Sequence, residues 1–266
     1  AEPYLALWPV GAMPNSRGLA LTDSVADARI YQVGTPGVYA FLAPDSLNTG
    51  SAVVIFPGGG YARLAYQGGG FNMARWFNSL GVNAFVLLYR LPHSPDLVDP
   101  AIGPLQDAQR AMRLVRAGAA RWDIDPDRVG VVGTSAGGHV ASSLGTHAED
   151  VSAVGDTLDA YSFAPDFMLL VSPVITMGAH AHQGSRRRLL GDDPAPDRVA
   201  AYSSERRVTA GTPPTFLILA ADDASVDPRN SLLFFEALLE HGVPAALHVF
   251  PYGGHAVGVR NGPGSA

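Results

Sequence analysis

The chain has 266 residues, 47% of them hydrophobic, and a net charge of −6, so it can bury a large core but offers no basic face for nucleic acid. All 18 cationic residues are Arg and Cys is absent, which removes Schiff-base lysines, Ser–Lys dyads, P-loop lysines, thiol nucleophiles, disulfides and cysteine metal sites. No run of 18 or more apolar residues occurs, and no membrane span is expected. The chain begins Ala1-Glu2-Pro3 rather than with Met. A processed N-terminus is the expectation, and with it a secreted or periplasmic setting, although freedom from thiols suits the cytoplasm equally.

No shift in composition or internal repeat divides the chain, so residues 1–266 read as one domain. The first fifty residues suggest two antiparallel edge strands, near 28–33 and 37–42. From there short apolar strands alternate with amphipathic helices, the pattern of an α/β fold whose mostly parallel sheet is covered on both faces. Ser51 to Phe56 reads as a buried strand that breaks at Pro57-Gly58-Gly59-Gly60. A helix follows around 70–80, then a strand from Val82 to Tyr89. A long helix near 102–122 places Leu105, Ala108, Met112, Val115, Ala119 and Trp122 on one face, three and four apart. Arg128 to Val132 is a strand ending at Gly133, and a helix starts there. Phe167 to Val171, Thr215 to Ala220 and Ala245 to Phe250 are further strands. A helix at 229–241 ends at Gly242, which suits a C-terminal cap. Segment 172–212, rich in Pro, Gly and Arg, reads as an irregular insertion with short helices over the site, and Arg186, Arg187 and Arg188 within it as a solvated turn.

The strongest local signal is Gly133-Thr134-Ser135-Ala136-Gly137, preceded by a strand and followed by a helix. The pentapeptide alone is common, but this context is the one a G-x-S-x-G nucleophile elbow needs. The chain must turn from strand to helix within about one residue, leaving the serine strained and exposed, and side chains at the flanking positions would collide. A helix N-terminus behind Ser135 favours developing negative charge. The serine needs a base and the base an orienting acid, in the chain order Ser, Asp, His. Of the eight histidines, only His255 follows the last strand, in the turn Pro251-Tyr252-Gly253-Gly254-His255. His139 lies inside the helix after Ser135 and is expected to point elsewhere. His180 and His182 lack a third ligand in a recognisable motif and read as solvated loop residues. His147, His241 and His248 read as structural, and His93 sits in a loop on the active face without a motif. The acid follows the strand 215–220. Asp223 is favoured, Asp222 is the runner-up, and Asp227 suits a helix cap. Pro57-Gly58-Gly59-Gly60-Tyr61 follows its strand where the second half of an oxyanion hole belongs. The first half is the N–H of Ala136.

With these residues in hand, the chain resembles the acetyl xylan esterase and feruloyl esterase-like branch of the α/β-hydrolases, related to hormone-sensitive lipase. The similar stretches are PGGGY at 57–61, RWFNSLGVNAFVLLYRLP at 75–92, PLQDAQRAMRLVR at 104–116, GTSAGGH at 133–139, GSRRRLLG at 184–191 and NSLLFFEALLEHGVPAALHVFPYGGH at 230–255. The resemblance implies the α/β-hydrolase fold, a triad of Ser135, Asp223 and His255, and an oxyanion hole of Gly59, Gly60 and Ala136. The chain departs from the pattern at Pro57, Thr134, Asp227 and Ala256-Val257, none of which is a catalytic group. The implied activity is hydrolysis of short acyl esters, acetyl above all, on small molecules or oligosaccharides. No cofactor, metal, nucleic acid or membrane partner is implied. Tyr61, Tyr66, Phe71 and Trp76 are available either to stack on a sugar or to pack the core.

Overall fold

The computed structural model describes residues 3–259. In chain order the strands are β1 (Tyr4–Ala6), β2 (Ser24–Ala26), β3 (Arg29–Gln32), β4 (Gly37–Phe41), β5 (Ala52–Phe56), β6 (Asn83–Leu88), β7 (Val129–Thr134), β8 (Met168–Val171), β9 (Thr215–Ala220) and β10 (Ala245–Phe250). The helices are α1 (Met73–Ser79), α2 (Gly103–Ala117), α3 (Ala136–Thr146), α4 (Gln183–Leu190), α5 (Pro196–Ala201) and α6 (Arg229–Glu240). The main sheet runs β1-β4-β6-β5-β7-β8-β9-β10, parallel from β6 to β10 and antiparallel where β4 meets β6 and β1. This is the α/β-hydrolase fold expected from the sequence.

Residues in β5, β6 and β7 are buried throughout, which is why these strands read as continuous apolar runs rather than alternating ones. Their side chains divide between the two faces. Val54, Phe85, Leu87 and Val131 pack with α2 and α3, and Leu217 with Phe234 and Leu238 of α6. Val53, Ile55, Val86 and Val132 pack with Phe71, Ala74 and Phe77 at α1. On this α1 face, Phe216 and Ile218 of β9 are only half-buried. There a cavity of about 580 Å³ opens, walled by Met73, Trp76, Val132, Leu169, Phe216 and Val257 among others.

One expectation is corrected and one extended. The strand near 28–33 does not join the main sheet. It pairs with β2 in a separate two-stranded ribbon that touches the main body through Ile30 and Leu64. The sheet edge is instead β1, whose three residues are too few to carry a period. The helix read around 70–80 is preceded by a wide π-turn over Gln67–Asn72. Gly70 permits it, since a Cβ there would lie 2.7 Å from Val86.

The polar side of α2 carries an unexpected share of the fold. Asp107 accepts from the Arg90 guanidinium and backbone and from Trp8 Nε1, with Arg90 and Asp107 only 2% and 0% exposed. Arg110, Arg113 and Arg116, three residues apart, are buried beneath the 149–166 loop. They pair with Asp156, Asp150 and Asp166 respectively. Those partners are what make burial of arginine tolerable. No helix among the described residues is long and apolar enough to cross a membrane.

Candidate active site

The β7–α3 junction is a strained turn. Ser135 sits at φ 58°, ψ −123°, a region that costs a non-glycine residue roughly 1–3 kcal/mol. Its neighbours show why no larger residue fits. A Cβ on Gly133 would lie 2.4 Å from the Gly137 carbonyl oxygen, and one on Gly137 would lie 2.0 Å from that of Phe56. Backbone hydrogen bonds hold the turn on both sides. Ser135 N–H donates to Val171, and the Ser135 carbonyl accepts from Gly138 and Val174.

Ser135 Oγ lies 2.9 Å from His255 Nε2, and His255 Nδ1 lies 2.8 Å from Asp223 Oδ2. A carboxylate only accepts, so Nδ1 carries the proton and Nε2 is free to accept from the serine hydroxyl. Asp223 is itself anchored, its other oxygen accepting from the backbone N–H of Ser225 at 2.8 Å and of Val226 at 3.0 Å. Asp222, the alternative acid, points the other way. It accepts from Gly254 N–H at 2.8 Å and Gly253 N–H at 3.3 Å, fastening the turn that carries His255. Asp227 sits at the start of α6, accepting from Arg229 N–H and pairing with His180.

The glycine loop after β5 packs directly on the elbow. A Cβ on Gly58 would lie 2.7 Å from the Thr134 carbonyl and 3.0 Å from Ser135 Cβ. Gly59 has φ +142° and faces Arg63, whose carbonyl a Cβ would meet at 2.0 Å, and Gly60 has φ +63°. The N–H groups of Gly59 and Gly60 donate to no acceptor among the described residues. Ala136 opens α3, where the N–H has no preceding turn to bond. The structure thus brings Ser135, His255, Asp223, Gly59, Gly60 and Ala136 into one place.

The next residue of the loop, Tyr61, is also left-handed at φ 59° and is pinned by a buried network the sequence did not reveal. His139 Nε2–H donates to the Tyr202 carbonyl at 2.7 Å, so Nδ1 accepts from the Tyr61 hydroxyl at 2.7 Å. Burial pushes the His139 pKa down to about 4, against the raising effect of the Tyr202 bond. Tyr89 donates to the Pro57 carbonyl. Tyr61 and Phe71 are therefore core residues with no face for a sugar. Tyr66 packs edge-on against Phe71, while Trp76 remains 40% exposed.

Two readings of segment 172–212 change. Arg186, Arg187 and Arg188 lie on α4 rather than in a turn, and Arg188 donates to the Gly60 carbonyl. His182 is not a solvated loop residue. It is half-buried with its Cε1 edge facing Gly60, and desolvation, then the His255 charge, lower its pKa. His93 binds the Tyr31 carbonyl at the surface. No group of His, Asp and Glu among the described residues is arranged to hold a metal ion. The walls of the 580 Å³ cavity include neither Ser135 nor His255.

The BD-FAE family model matches residues 41–238. A crystal structure of an acetyl ester-xyloside bifunctional hydrolase from Caldicellulosiruptor lactoaceticus superposes with a TM-score of 0.79 at 39% identity, covering 97% of this chain and 88% of that one. Endo-1,4-beta-xylanase B of Butyrivibrio fibrisolvens is 37% identical over 226 residues, and an acetylxylan esterase of Xylanibacter ruminicola 33% identical over 215. These matches cover 85% and 79% of this chain but only 35% and 42% of the two relatives.

Proposed function

The chain belongs to the BD-FAE family, in the esterase branch of the α/β-hydrolase fold, and from that premise we propose that it is a serine carboxylesterase removing short acyl groups, acetyl foremost, from a carbohydrate such as an acetylated xylo-oligosaccharide. The observation that carries this reading is the unbroken hydrogen-bond chain from Ser135 through His255 to Asp223. Ser135 Oγ attacks the ester carbonyl as His255 Nε2 takes its proton, and the oxyanion is received by the N–H groups of Ala136, Gly59 and Gly60. His255 returns the proton to the leaving alcohol, giving an acyl-enzyme. Water, deprotonated by the same nitrogen, then releases the acid and restores Ser135. Asp223 holds the imidazole tautomer and stabilises the imidazolium.

The carbohydrate part is supported by the relatives' activities and by the polar character of the segment over the site, with Arg186, Arg187 and Arg188 on α4. Each buried methylene of an acyl chain contributes about 0.8 kcal/mol only where an apolar wall receives it. A second reading is a broad-specificity carboxylesterase or feruloyl esterase taking a longer or aromatic acyl group.

The test is kcat/KM across p-nitrophenyl acetate, butyrate, octanoate and laurate and a feruloyl ester, with acetate release from acetylated xylo-oligosaccharides. The proposal expects a maximum at acetate and release from the sugar. A maximum at octanoate or beyond, or at the feruloyl ester, selects the second reading. Ser135→Ala and fluorophosphonate labelling test the mechanism. Retention of more than about a tenth of kcat by the variant refutes the nucleophile.

A further inference from the structure

His182 stands at the start of α4, where its side chain caps the helix. Its Nδ1 lies 3.1 Å from Ser185 N and 2.8 Å from Ser185 Oγ. A backbone N–H can only donate, so Nδ1 is an acceptor, and the neutral ring carries its proton on Nε2. That Nε2–H meets no acceptor among the described residues. Gly184 leaves the ring its room, since a Cβ there would lie 3.2 Å from Cε1. The Cε1 edge is the nearest side chain to Gly60, 3.5 Å from where a Cβ would stand. The ring is also near enough to His255 and Asp223 for their charges to act on it, and it is held neutral by desolvation first and the His255 charge second.

This position relates to one half of the substrate. The ester oxyanion lies against the glycine-loop N–H groups, and the leaving oxygen lies at His255 Nε2, from which it takes its proton. A donor that stands beside Gly60 and within reach of the His255 charge is placed to meet the alcohol portion. We propose that His182 Nε2–H binds the alcohol portion of the ester, donating to a free hydroxyl on the carbon next to the acylated one, as in a sugar acylated at one of two vicinal hydroxyls. The inference rests on the carbohydrate-ester reading above. It makes His182 a specificity residue, with the proton chemistry left to His255.

The experiment compares p-nitrophenyl acetate, whose alcohol has no vicinal hydroxyl, with a mono-O-acetyl xyloside and its deoxy analogue lacking the neighbouring hydroxyl. His182→Asn keeps an oxygen that can accept from Ser185 N–H and so cap α4, but withdraws the ring donor. His182→Phe keeps the ring and removes both nitrogens. In both variants the ratio of kcat/KM for the mono-acetyl xyloside to that for p-nitrophenyl acetate should fall about ten-fold, the usual worth of one neutral hydrogen bond. Wild-type enzyme should disfavour the deoxy analogue by the same factor, and the variants should not distinguish the two sugars. An unchanged ratio, with both substrates losing rate together, overturns the inference and assigns His182 to oxyanion binding or to the fold. Variants that still prefer the hydroxylated sugar overturn it as well. If wild-type enzyme releases no acetate from any sugar, the carbohydrate reading itself fails. That result is distinct from a wild-type enzyme active on sugars whose variants keep its selectivity.

Discussion

Asp223→Asn should almost extinguish activity while leaving the protein folded, and the reason is orientation. The carboxylate oxygen that faces Ser225 and Val226 accepts two backbone N–H bonds, at 2.8 and 3.0 Å. An asparagine in this pocket, whose acid side chain is 2% exposed, must place its carbonyl oxygen there, since its NH₂ would confront two donors. The NH₂ then faces His255 Nδ1 and donates to it. The imidazole proton moves to Nε2, where it points at Ser135 Oγ and blocks proton transfer. The expected loss is about 10⁴ in kcat, or about 5 kcal/mol of transition-state stabilisation. Every hydrogen bond keeps a partner, so stability should fall by less than about 1 kcal/mol. Asp222→Asn is the control. Its carbonyl oxygen still accepts from Gly254 N–H on an exposed turn, and activity should stay within about two-fold. Steady-state kcat on p-nitrophenyl acetate and thermal melts of the three proteins decide the matter. A loss below ten-fold in Asp223→Asn, or a larger loss in Asp222→Asn, refutes the reasoning.

The buried His139 has its pKa at about 4 against 6.5 in the unfolded chain. The unfolded state therefore binds a proton first as pH falls, and roughly 3 kcal/mol of stability should be lost between pH 6.5 and 4. Melting temperatures over that range should fall more steeply in wild type than in His139→Gln, and equal slopes would contradict the assignment. Asp107→Ala leaves Arg90 buried without its carboxylate and should cost about 3–5 kcal/mol in urea unfolding. A cost below 1 kcal/mol would show that the pair is not desolvated in solution. Thr134 Oγ1 is buried without a partner, so Thr134→Val should raise stability by about 1 kcal/mol in the same assay, and a decrease would mean that the hydroxyl is satisfied. Prolonged EDTA treatment should leave kcat unchanged, whereas a loss restored specifically by Zn²⁺ would overturn a metal-independent mechanism.

The sequence by itself was enough for the parallel strands of the sheet and for the elbow. β5, β6 and β7 are buried on both faces, so each left a mostly apolar run, and the crowding at Gly133 and Gly137 left its mark as obligatory glycines. His255 was legible because the chain order places the base after the last strand. Tertiary structure decided whatever depends on groups far apart in the chain. Asp222 and Asp223 are neighbours of the same type, and only the direction each leaves the backbone separates the carboxylate facing His255 from the one fastening its turn. Tyr61 and Phe71 could have been sugar platforms until packing enclosed them. His139 meets Tyr61 and Tyr202 across 78 and 63 residues, and no local pattern encodes such a meeting. Arg110, Arg113 and Arg116 repeat at helical spacing as a solvated face would, and only the loop that folds over them, with its aspartates, makes them interior. His182 lacked any motif of its own. Its place beside Gly60 arises because α4 lies across the glycine loop, a contact made over more than a hundred residues of chain.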